Sequence, residues 1–295
     1  MVNNLDPIRH LYPFKSRFLK IGNHRYHYID EGKGEPLIML HGNPTWSFYY
    51  RNLISFFSKK YRIIAPDHIG CGLSDKPENY PYTLSTHIKN LEKLIDHLKL
   101  KNITFFLHDW GGPIGMGYAV NHPRLIKRWV IFNSACFLAE DLSMPWRIRL
   151  CHYPLIGTIA IRHLNLFSLG AFWMATNHRE RFTPEVRAGY LAPYQSPRDR
   201  VAQLRFVQDI PWNKNVPSYA VMREMTSKLP LFRNHPMLII WGEKDFCFTL
   251  DFLKKWEAYF PNALINTISD AGHYVVEDAG DRLIPWIDDF LAATK

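Results

Sequence analysis

Short apolar runs, each the length of a β-strand, recur along the chain and are separated by turns and by segments with helical spacing. A strand without polar residues has to be covered on both faces, as in parallel sheets built from β-α-β units. The sequence therefore predicts an α/β fold with a mostly parallel central sheet flanked by helices. The runs are residues 36–40, 61–65, 103–107, 129–132, 237–241 and 263–268.

Other segments complete this pattern. Residues 25–30 alternate between apolar and polar side chains, which is typical of a half-buried strand. Residues 45–57, 83–98 and 282–293 place apolar side chains three or four positions apart, which indicates helices on the faces of the sheet.

Between residues 134 and 229 the strand-length runs vanish, and the sequence becomes helical and rich in Trp, Tyr, Pro and Arg. We interpret this segment as a helical cap, inserted after the sixth strand and lying over the edge where the strands end. The predicted organisation is a core domain of residues 1–133 and 230–295 and a cap domain of residues 134–229.

Charge and cysteine content narrow the possible partners. The net charge is +9, but there is no basic block, phosphate loop or zinc-finger spacing, so we expect a basic surface and no nucleic-acid site. Attraction to a membrane or a protein partner stays open. The chain has no apolar stretch near 18 residues and four scattered cysteines without metal-ligand spacing. We therefore expect a cytoplasmic protein with no transmembrane segment, metal or cofactor.

Three residues with reactive side chains, Asp109, Asp245 and His273, each come shortly after one of the apolar runs. In a parallel sheet, the loops at the carboxyl ends of the strands converge on one site. The order nucleophile, acid, histidine is one known order of a catalytic triad. We therefore expect Asp109 to be the nucleophile, His273 the base and Asp245 the acid that orients His273.

The turn HDWGG around Asp109 has the small residues that a nucleophile on a strand-to-helix turn requires. Gly111 and Gly112 meet this requirement, whereas Leu107 stands where a first glycine is expected. Taken alone, Asp109 would serve equally well as a helix cap, and the other two residues would be an ordinary turn residue and an ordinary core histidine. Only their joint order favours catalysis.

An aspartate nucleophile changes the available chemistry. Its carboxylate is already anionic at neutral pH and attacks an electrophilic saturated carbon without prior deprotonation, forming an alkyl ester with the enzyme. The leaving group then needs hydrogen-bond donors. We expect these from the Trp110 indole N–H and the Asn43 side-chain amide, with their backbone N–H groups forming an oxyanion hole. The alternatives are simple packing for Trp110 and a turn residue before Pro44 for Asn43.

The stretches HGNPTWSFYYR, HDWGGPIG, WGEKD and AGH resemble the haloalkane dehalogenase branch of the α/β-hydrolase superfamily over almost the whole chain. The resemblance implies the α/β-hydrolase fold and the same set of roles for Asp109, His273, Asp245, Asn43 and Trp110. Epoxide hydrolases share the aspartate but usually have Trp or Phe where HGNP has Asn.

A second resemblance lies in the cap segment GYLAPYQSPRDRVAQLRFVQDIP and in WGEKDFCFTLDFL. Both are similar to the β-lactone decarboxylases of bacterial long-chain olefin biosynthesis, which convert cis-3,4-dialkyl-oxetan-2-ones into cis-alkenes and carbon dioxide. This resemblance implies a hydrophobic small-molecule substrate and association with the upstream enzymes of that synthesis. The triad is common to both families, so only the cap favours one of them.

The leading hypothesis is therefore a β-lactone decarboxylase acting through a covalent ester on Asp109. The alternative is a haloalkane dehalogenase that hydrolyses a haloalkane to alcohol and halide. A non-catalytic binding module is the third possibility, and it is disfavoured because all three triad residues are present.

Overall fold

Residues 5–295, which the computed structural model describes, form one sheet of eight strands in the order β1-β2-β4-β3-β5-β6-β7-β8. Strands β3 to β8 are parallel to one another. Strand β2 pairs antiparallel with its two neighbours, β1 and β4. The strands are β1 Arg17–Ile21, β2 His24–Glu31, β3 Pro36–Leu40, β4 Arg62–Pro66, β5 Ile103–His108, β6 Ile126–Phe132, β7 Met237–Gly242 and β8 Leu264–Ile268. The predicted mostly parallel α/β sheet is confirmed.

The apolar runs are buried because helices cover both faces of the sheet. All residues of β5 and β7 are buried. The register pairs Leu40 with Leu107, Leu107 with Ile131, and Phe132 with Ile240. Strands β3, β5, β6 and β7 therefore end together, and the loops that follow them share one edge of the sheet.

Helices connect and cover the strands. They are α1 Arg51–Phe57, α2 Leu84–Leu98, α3 Gly111–Ala119, α4 Trp146–His152, α5 Pro154–Gly157, α6 Leu166–Met174, α7 Pro184–Leu191, α8 Val201–Gln208, α9 Pro217–Lys228, α10 Leu250–Tyr259, α11 Val275–Ala279 and α12 Leu283–Ala293. Helix α2 begins after Thr83, whose side chain accepts from the Thr86 N–H, as an N-cap does. The helix predicted over 45–57 is shorter, because residues 47–50 form a 3-10 turn before α1.

Across residues 133–236, all of which the structure describes, the chain forms helices α4 to α9 and no strand. Side chains from the core reach this segment at the carboxyl edge of the sheet: Trp46 Nε1 donates to the Gly189 carbonyl at 3.1 Å. We keep the term cap for residues 134–229. The exact domain boundaries stay a prediction.

In residues 5–295, no single helix is long and apolar enough to cross a bilayer. One pair, Pro154–His163 with Leu166–Met174, meets the criterion jointly but is bent by 78°. The four cysteines are free; Cys71 and Cys136 are buried, whereas Cys151 and Cys247 are only partly buried.

Candidate active site

The turn between β5 and α3 holds Asp109 in a backbone conformation that few side chains adopt. Its φ is +49°, in the left-handed region where residues other than glycine are uncommon. The Asp109 N–H donates to the Asn133 carbonyl at 3.1 Å, and Ser134 Oγ donates to the Asp109 carbonyl at 2.7 Å. These bonds present the carboxylate at the carboxyl edge of the sheet, as in a nucleophile elbow.

Close packing around the elbow explains its glycines. A Cβ at Gly111 would lie 2.0 Å from the Leu40 carbonyl oxygen, so no side chain fits there. Leu107, in place of the first glycine of the motif, occupies space that Gly115 leaves free, since a Cβ at 115 would lie 2.5 Å from Leu107 Cδ2. A glycine on the next helix thus accommodates this departure from the motif.

The structure brings Asp109, His273 and Asp245 together. His273 Nδ1 donates to Asp245 Oδ2 at 2.8 Å, and its Nε2 lies 3.8 Å from Asp109 Oδ2. All three residues are buried. This arrangement matches an oriented histidine beside a nucleophile, and the roles of the three residues stay a prediction.

Donors other than His273 also hold the Asp245 carboxylate in place. Its Oδ1 accepts from the backbone N–H groups of Cys247 and Phe248 at 2.6 and 3.0 Å. Its Oδ2 also accepts from Asn133 Nδ2 at 2.9 Å. Asn133 was not predicted from the sequence to have a role. Its position directly after β6, at the same edge of the sheet as the triad, indicates a side chain of the site.

The pKa values of Asp109 and His273 depend on each other's charge. Burial raises the pKa of Asp109 above its ordinary value, although the His273 ring and the backbone N–H groups of Asn43 and Trp110 oppose the shift. For His273, burial works to lower the pKa, but the carboxylates of Asp245 and Asp109 outweigh it, and the pKa is raised. A proton on His273 is therefore stabilised between two carboxylates.

The two predicted oxyanion-hole donors bind the nucleophile itself. The Asn43 backbone N–H donates to Asp109 Oδ1 at 2.6 Å, and the Trp110 backbone N–H also donates to this carboxylate. The Asn43 backbone thus holds Oδ1 of Asp109, while Oδ2 is the oxygen that lies near His273.

The side-chain donors predicted for the leaving group border the same cavity as Asp109. Asn43 Nδ2 donates to the Gln203 carbonyl of the cap at 3.0 Å, which occupies one of its two N–H groups. The Trp110 indole packs against Phe206, with ring centroids 5.1 Å apart, and its N–H has no acceptor among the described residues. Both side chains therefore retain a donor for a ligand.

The cavity extends from the triad into the cap and has a volume of about 680 Å³. Its walls are mainly apolar and aromatic, with Phe137 and Met222 among them, and the polar exceptions include Asp109, His273, Asn43, Glu140, Arg147 and Arg149. Among residues 5–295, no cluster of His, Cys, Asp and Glu is suited to a metal ion. The site fits a small hydrophobic molecule.

His108, which precedes the nucleophile, supports the loop that carries His273. Its Nε2 donates to the His273 carbonyl at 2.8 Å, and its ring stacks on Tyr49 at 4.5 Å. Burial and the nearby His273 ring hold its pKa well below the ordinary value. His108 is therefore a neutral positioning group.

Comparison with known families agrees with this geometry. The family model described as the alpha/beta hydrolase fold matches residues 35–280. The chain belongs to the α/β-hydrolase family. The chain also shares extended sequence identity with curated relatives.

Two of those relatives are named cis-3-alkyl-4-alkyloxetan-2-one decarboxylase. The one from Shewanella oneidensis is 45% identical over 97% of this chain and 91% of its own length. The one from Xanthomonas campestris pv. campestris is 41% identical over 90% and 91%. Haloalkane dehalogenase 2 from Mycobacterium tuberculosis is 32% identical over 95% and 96%. Both family resemblances drawn from the sequence are confirmed.

Solved structures show the same fold for this α/β hydrolase. The haloalkane dehalogenase DatA from Agrobacterium tumefaciens C58 superposes with a TM-score of 0.85 at 24% identity, covering 95% of this chain and 97% of that one. The haloalkane dehalogenase DbeA from Bradyrhizobium elkani gives 0.83 at 22% identity, covering 95% and 99%. At these identities the likeness concerns the fold alone.

Proposed function

We propose that this α/β hydrolase is a β-lactone decarboxylase that converts a cis-3,4-dialkyl-oxetan-2-one into a cis-alkene and carbon dioxide. The observation that carries the proposal is the 45% identity, over 97% of the chain, to a relative named for this substrate. The dehalogenase relative is more distant, at 32%. The apolar cavity around Asp109 suits a dialkyl substrate.

In the first step, Asp109 Oδ2 attacks the saturated ring carbon that bears the ring oxygen. The bond between that carbon and the ring oxygen breaks, and the oxygen leaves as part of a carboxylate that remains attached to the neighbouring carbon. An alkyl ester forms on Asp109. The Trp110 indole N–H and the second Asn43 amide N–H receive the new carboxylate, as charge-assisted donors.

The backbone donors favour this carbon over the lactone carbonyl. Attack at the carbonyl would create an alkoxide that needs its own oxyanion hole. The Asn43 and Trp110 backbone N–H groups already bind Asp109, so they support the nucleophile and the later ester carbonyl.

In the second step the new carboxylate leaves as carbon dioxide. The electron pair of its carbon–carbon bond forms the double bond, and the carbon–oxygen bond to Asp109 breaks, returning its pair to Oδ2. Inversion in the first step sets the two breaking bonds opposite each other, so this elimination gives the cis-alkene from the cis-lactone. No water or proton is consumed.

His273 has a different role in each candidate reaction. During decarboxylation its protonated ring, near Asp109 Oδ2, stabilises the carboxylate as it is expelled. In hydrolysis its neutral ring would act as the base that activates water against the ester.

The direct test is incubation with a cis-3,4-dialkyl β-lactone and detection of the alkene and its geometry by gas chromatography with mass spectrometry. We expect the cis-alkene, and none from the Asp109→Asn variant with an unchanged circular dichroism spectrum. No alkene, together with halide release from 1-bromobutane or 1,2-dibromoethane, would overturn the proposal.

Haloalkane dehalogenase is the second candidate, because the Asn43 and Trp110 side-chain donors also suit a halide. Halide would leave from a saturated carbon attacked by Asp109, and water activated by His273 would release the alcohol. Halide release much faster than any lactone turnover would favour this candidate.

The proposal extends to partners and location. A β-lactone has to be supplied by enzymes that condense two acyl chains and close the ring, and we propose assembly with them in the cytoplasm. The four free thiols suit a reducing compartment. Co-purification of tagged protein with a condensing enzyme and a lactone synthetase from the native cell tests the assembly.

A further inference from the structure

The first helices of the cap carry an unusual concentration of exposed apolar side chains. Of the fifteen large apolar side chains that are exposed in the described chain, ten lie within residues 146–173. We call these ten residues the apolar cap face. They are Trp146, Leu150, Tyr153, Leu155, Ile156, Ile159, Leu164, Leu166, Leu169 and Trp173. The helices that carry them contact one another through residues 154–163, and such a concentration of exposed apolar side chains indicates an interaction surface.

The charge of this segment has a single sign. Residues 142–179 contain four arginines, Arg147, Arg149, Arg162 and Arg179, and no Asp or Glu. Arg162 pairs with Glu78 of the core. In the described part of the chain, no carboxylate lies within ion-pairing distance of Arg147 or Arg149. These two cations are therefore available to an anionic surface.

Arginine and tryptophan lie side by side at the rim of this face. The Arg147 guanidinium lies 5.0 Å from the Trp146 ring centroid, and that of Arg179 lies 5.0 Å from the Trp173 ring. Aromatic rings with adjacent cations are enriched at the headgroup level of membranes, where the ring is partly buried and the cation meets phosphate.

The cavity reaches the same face. Trp146, Leu150, Ile156 and Leu166 line the cavity that holds Asp109, and each is more than one third exposed, from 39% for Ile156 to 67% for Trp146. An apolar molecule lying against the cap face has a continuous apolar path to the nucleophile.

We propose that the apolar cap face docks this protein onto the surface of an anionic phospholipid bilayer, with the cavity opening toward the lipid. The helices are too short to span: the ten-residue segment Pro154–His163 is about 15 Å long at ~1.5 Å per residue, against ~30 Å of hydrocarbon. The 78° bend between it and Leu166–Met174 lets both lie flat. Apolar side chains enter the headgroup region while Arg147 and Arg149 bind phosphate.

Flotation of the full-length protein with vesicles tests this docking. We expect binding to phosphatidylcholine vesicles that contain one quarter phosphatidylglycerol, several-fold weaker binding to pure phosphatidylcholine, and weakening by salt. The double variant Leu155→Glu, Ile159→Glu should bind at least tenfold more weakly. Neither residue lines the cavity, so its turnover of dispersed substrate should stay unchanged.

A matched control places the same two charges elsewhere. Leu231 and Leu264, 52% and 58% exposed, lie outside the cap face, and their Glu variants should float like the unchanged protein. The Asp109→Asn variant should also float, which separates docking from the proposed function. Absence of flotation, or equal flotation of the Leu155→Glu, Ile159→Glu variant, would overturn the proposal. So would a stable dimer in light scattering that this variant dissociates, with no vesicle binding.

Discussion

At the scale of single residues, the two oxygens of Asp109 have different surroundings. Oδ1 is held by the Asn43 backbone at 2.6 Å, whereas Oδ2 faces His273 at 3.8 Å. The sequence predicted that the Asn43 and Trp110 backbone N–H groups form an oxyanion hole, and this role stays a prediction. A carboxylate nucleophile brings its own anionic oxygen to the place that a substrate oxygen takes in serine enzymes, which gives the Asn43 N–H an acceptor before any substrate binds.

Trp110→Phe tests the indole donor. The change removes the Nε1–H and keeps a ring against Phe206, so we expect kcat to fall by roughly 10- to 100-fold with little loss of stability. Steady-state kinetics on the lactone measure the effect. Trp212→Phe is the matched control, because Trp212 borders the same cavity but its Nε1 donates to His152. An equal kcat in both variants would refute a donor role for Trp110.

His273→Gln separates the two candidate reactions. Loss of the ring that stabilises Asp109 as it leaves should slow the second step, but decarboxylation uses no water, so any ester that accumulates with the lactone should still decay to alkene. In a dehalogenase the same variant would trap the alkyl ester permanently for lack of a base. Intact-protein mass spectrometry and alkene detection over time report both outcomes. A mass increment that persists with the lactone while no alkene forms would contradict decarboxylation without water.

The pH dependence of turnover should follow Asp109. In the proposed mechanism only the ionised carboxylate attacks, and burial raises its pKa. A free aspartate protonates near pH 3.9. As the pH is lowered, activity should therefore begin to fall at a higher pH than this value. The His273 ring lowers the Asp109 pKa, so His273→Gln should move this acid limb to higher pH. A limb that stays in place or moves lower would show that another group controls it.

At the scale of elements, the central strands were predictable because they are buried on both faces, so nearly all of their side chains are apolar. Strand β1 (Arg17–Ile21) was missed because it is an edge strand, largely exposed, in which Arg17 and Lys20 interrupt the apolar pattern. Individual cap helices were not predicted, since their apolar residues face the cavity and the outside as well as a core.

Asp209 shows how the cap is attached to a core helix. Its Oδ2 accepts from the Leu84 N–H at 2.7 Å, at the start of α2, and its Oδ1 accepts from the Ser218 N–H at 3.3 Å, in α9. Asp209→Ala leaves these buried donors unsatisfied and should cost about 1–3 kcal/mol of unfolding free energy. Urea denaturation measures the loss. The exposed Asp251→Ala should leave the midpoint nearly unchanged, and equal effects would refute the attachment.

At the scale of the molecule, one buried ion pair joins distant parts of the chain. Arg51 of α1 donates two hydrogen bonds to Glu277 of α11, at 2.7 and 2.6 Å, and the cap residue Tyr190 donates to the same carboxylate at 2.8 Å. Glu277→Gln would leave a buried cation without its counter-charge and should cost about 3–5 kcal/mol.

Tyr190→Phe is the matched variant for that pair. It removes one hydrogen bond to a carboxylate but no charge, so we expect a smaller loss, of about 1.5–3 kcal/mol. Both variants are compared by urea unfolding. If Glu277→Gln lowered the unfolding free energy no more than Tyr190→Phe does, the ion pair would not stabilise the contact between α1 and α11.

The site as a whole was predictable to the extent that chain order follows the sheet. Asp109, Asp245 and His273 follow strands β5, β7 and β8, and a parallel sheet brings such loops together. The contribution of Asn133 was not predicted, because it depends on a side chain that reaches from the end of β6 to Asp245 in the loop after the neighbouring strand β7. Sequence order gives the neighbourhood of a residue, while its bonding partners depend on side-chain packing.

The cavity mouth among the exposed residues of the cap bears on how the rate should be measured. For an enzyme that draws substrate from a two-dimensional phase, the variable is molecules per unit of lipid area. Adding inert lipid should then slow turnover at constant bulk concentration. An alkene released there would partition into the lipid and carbon dioxide into the water. The two products would then not be present together in one phase, which disfavours the reverse reaction.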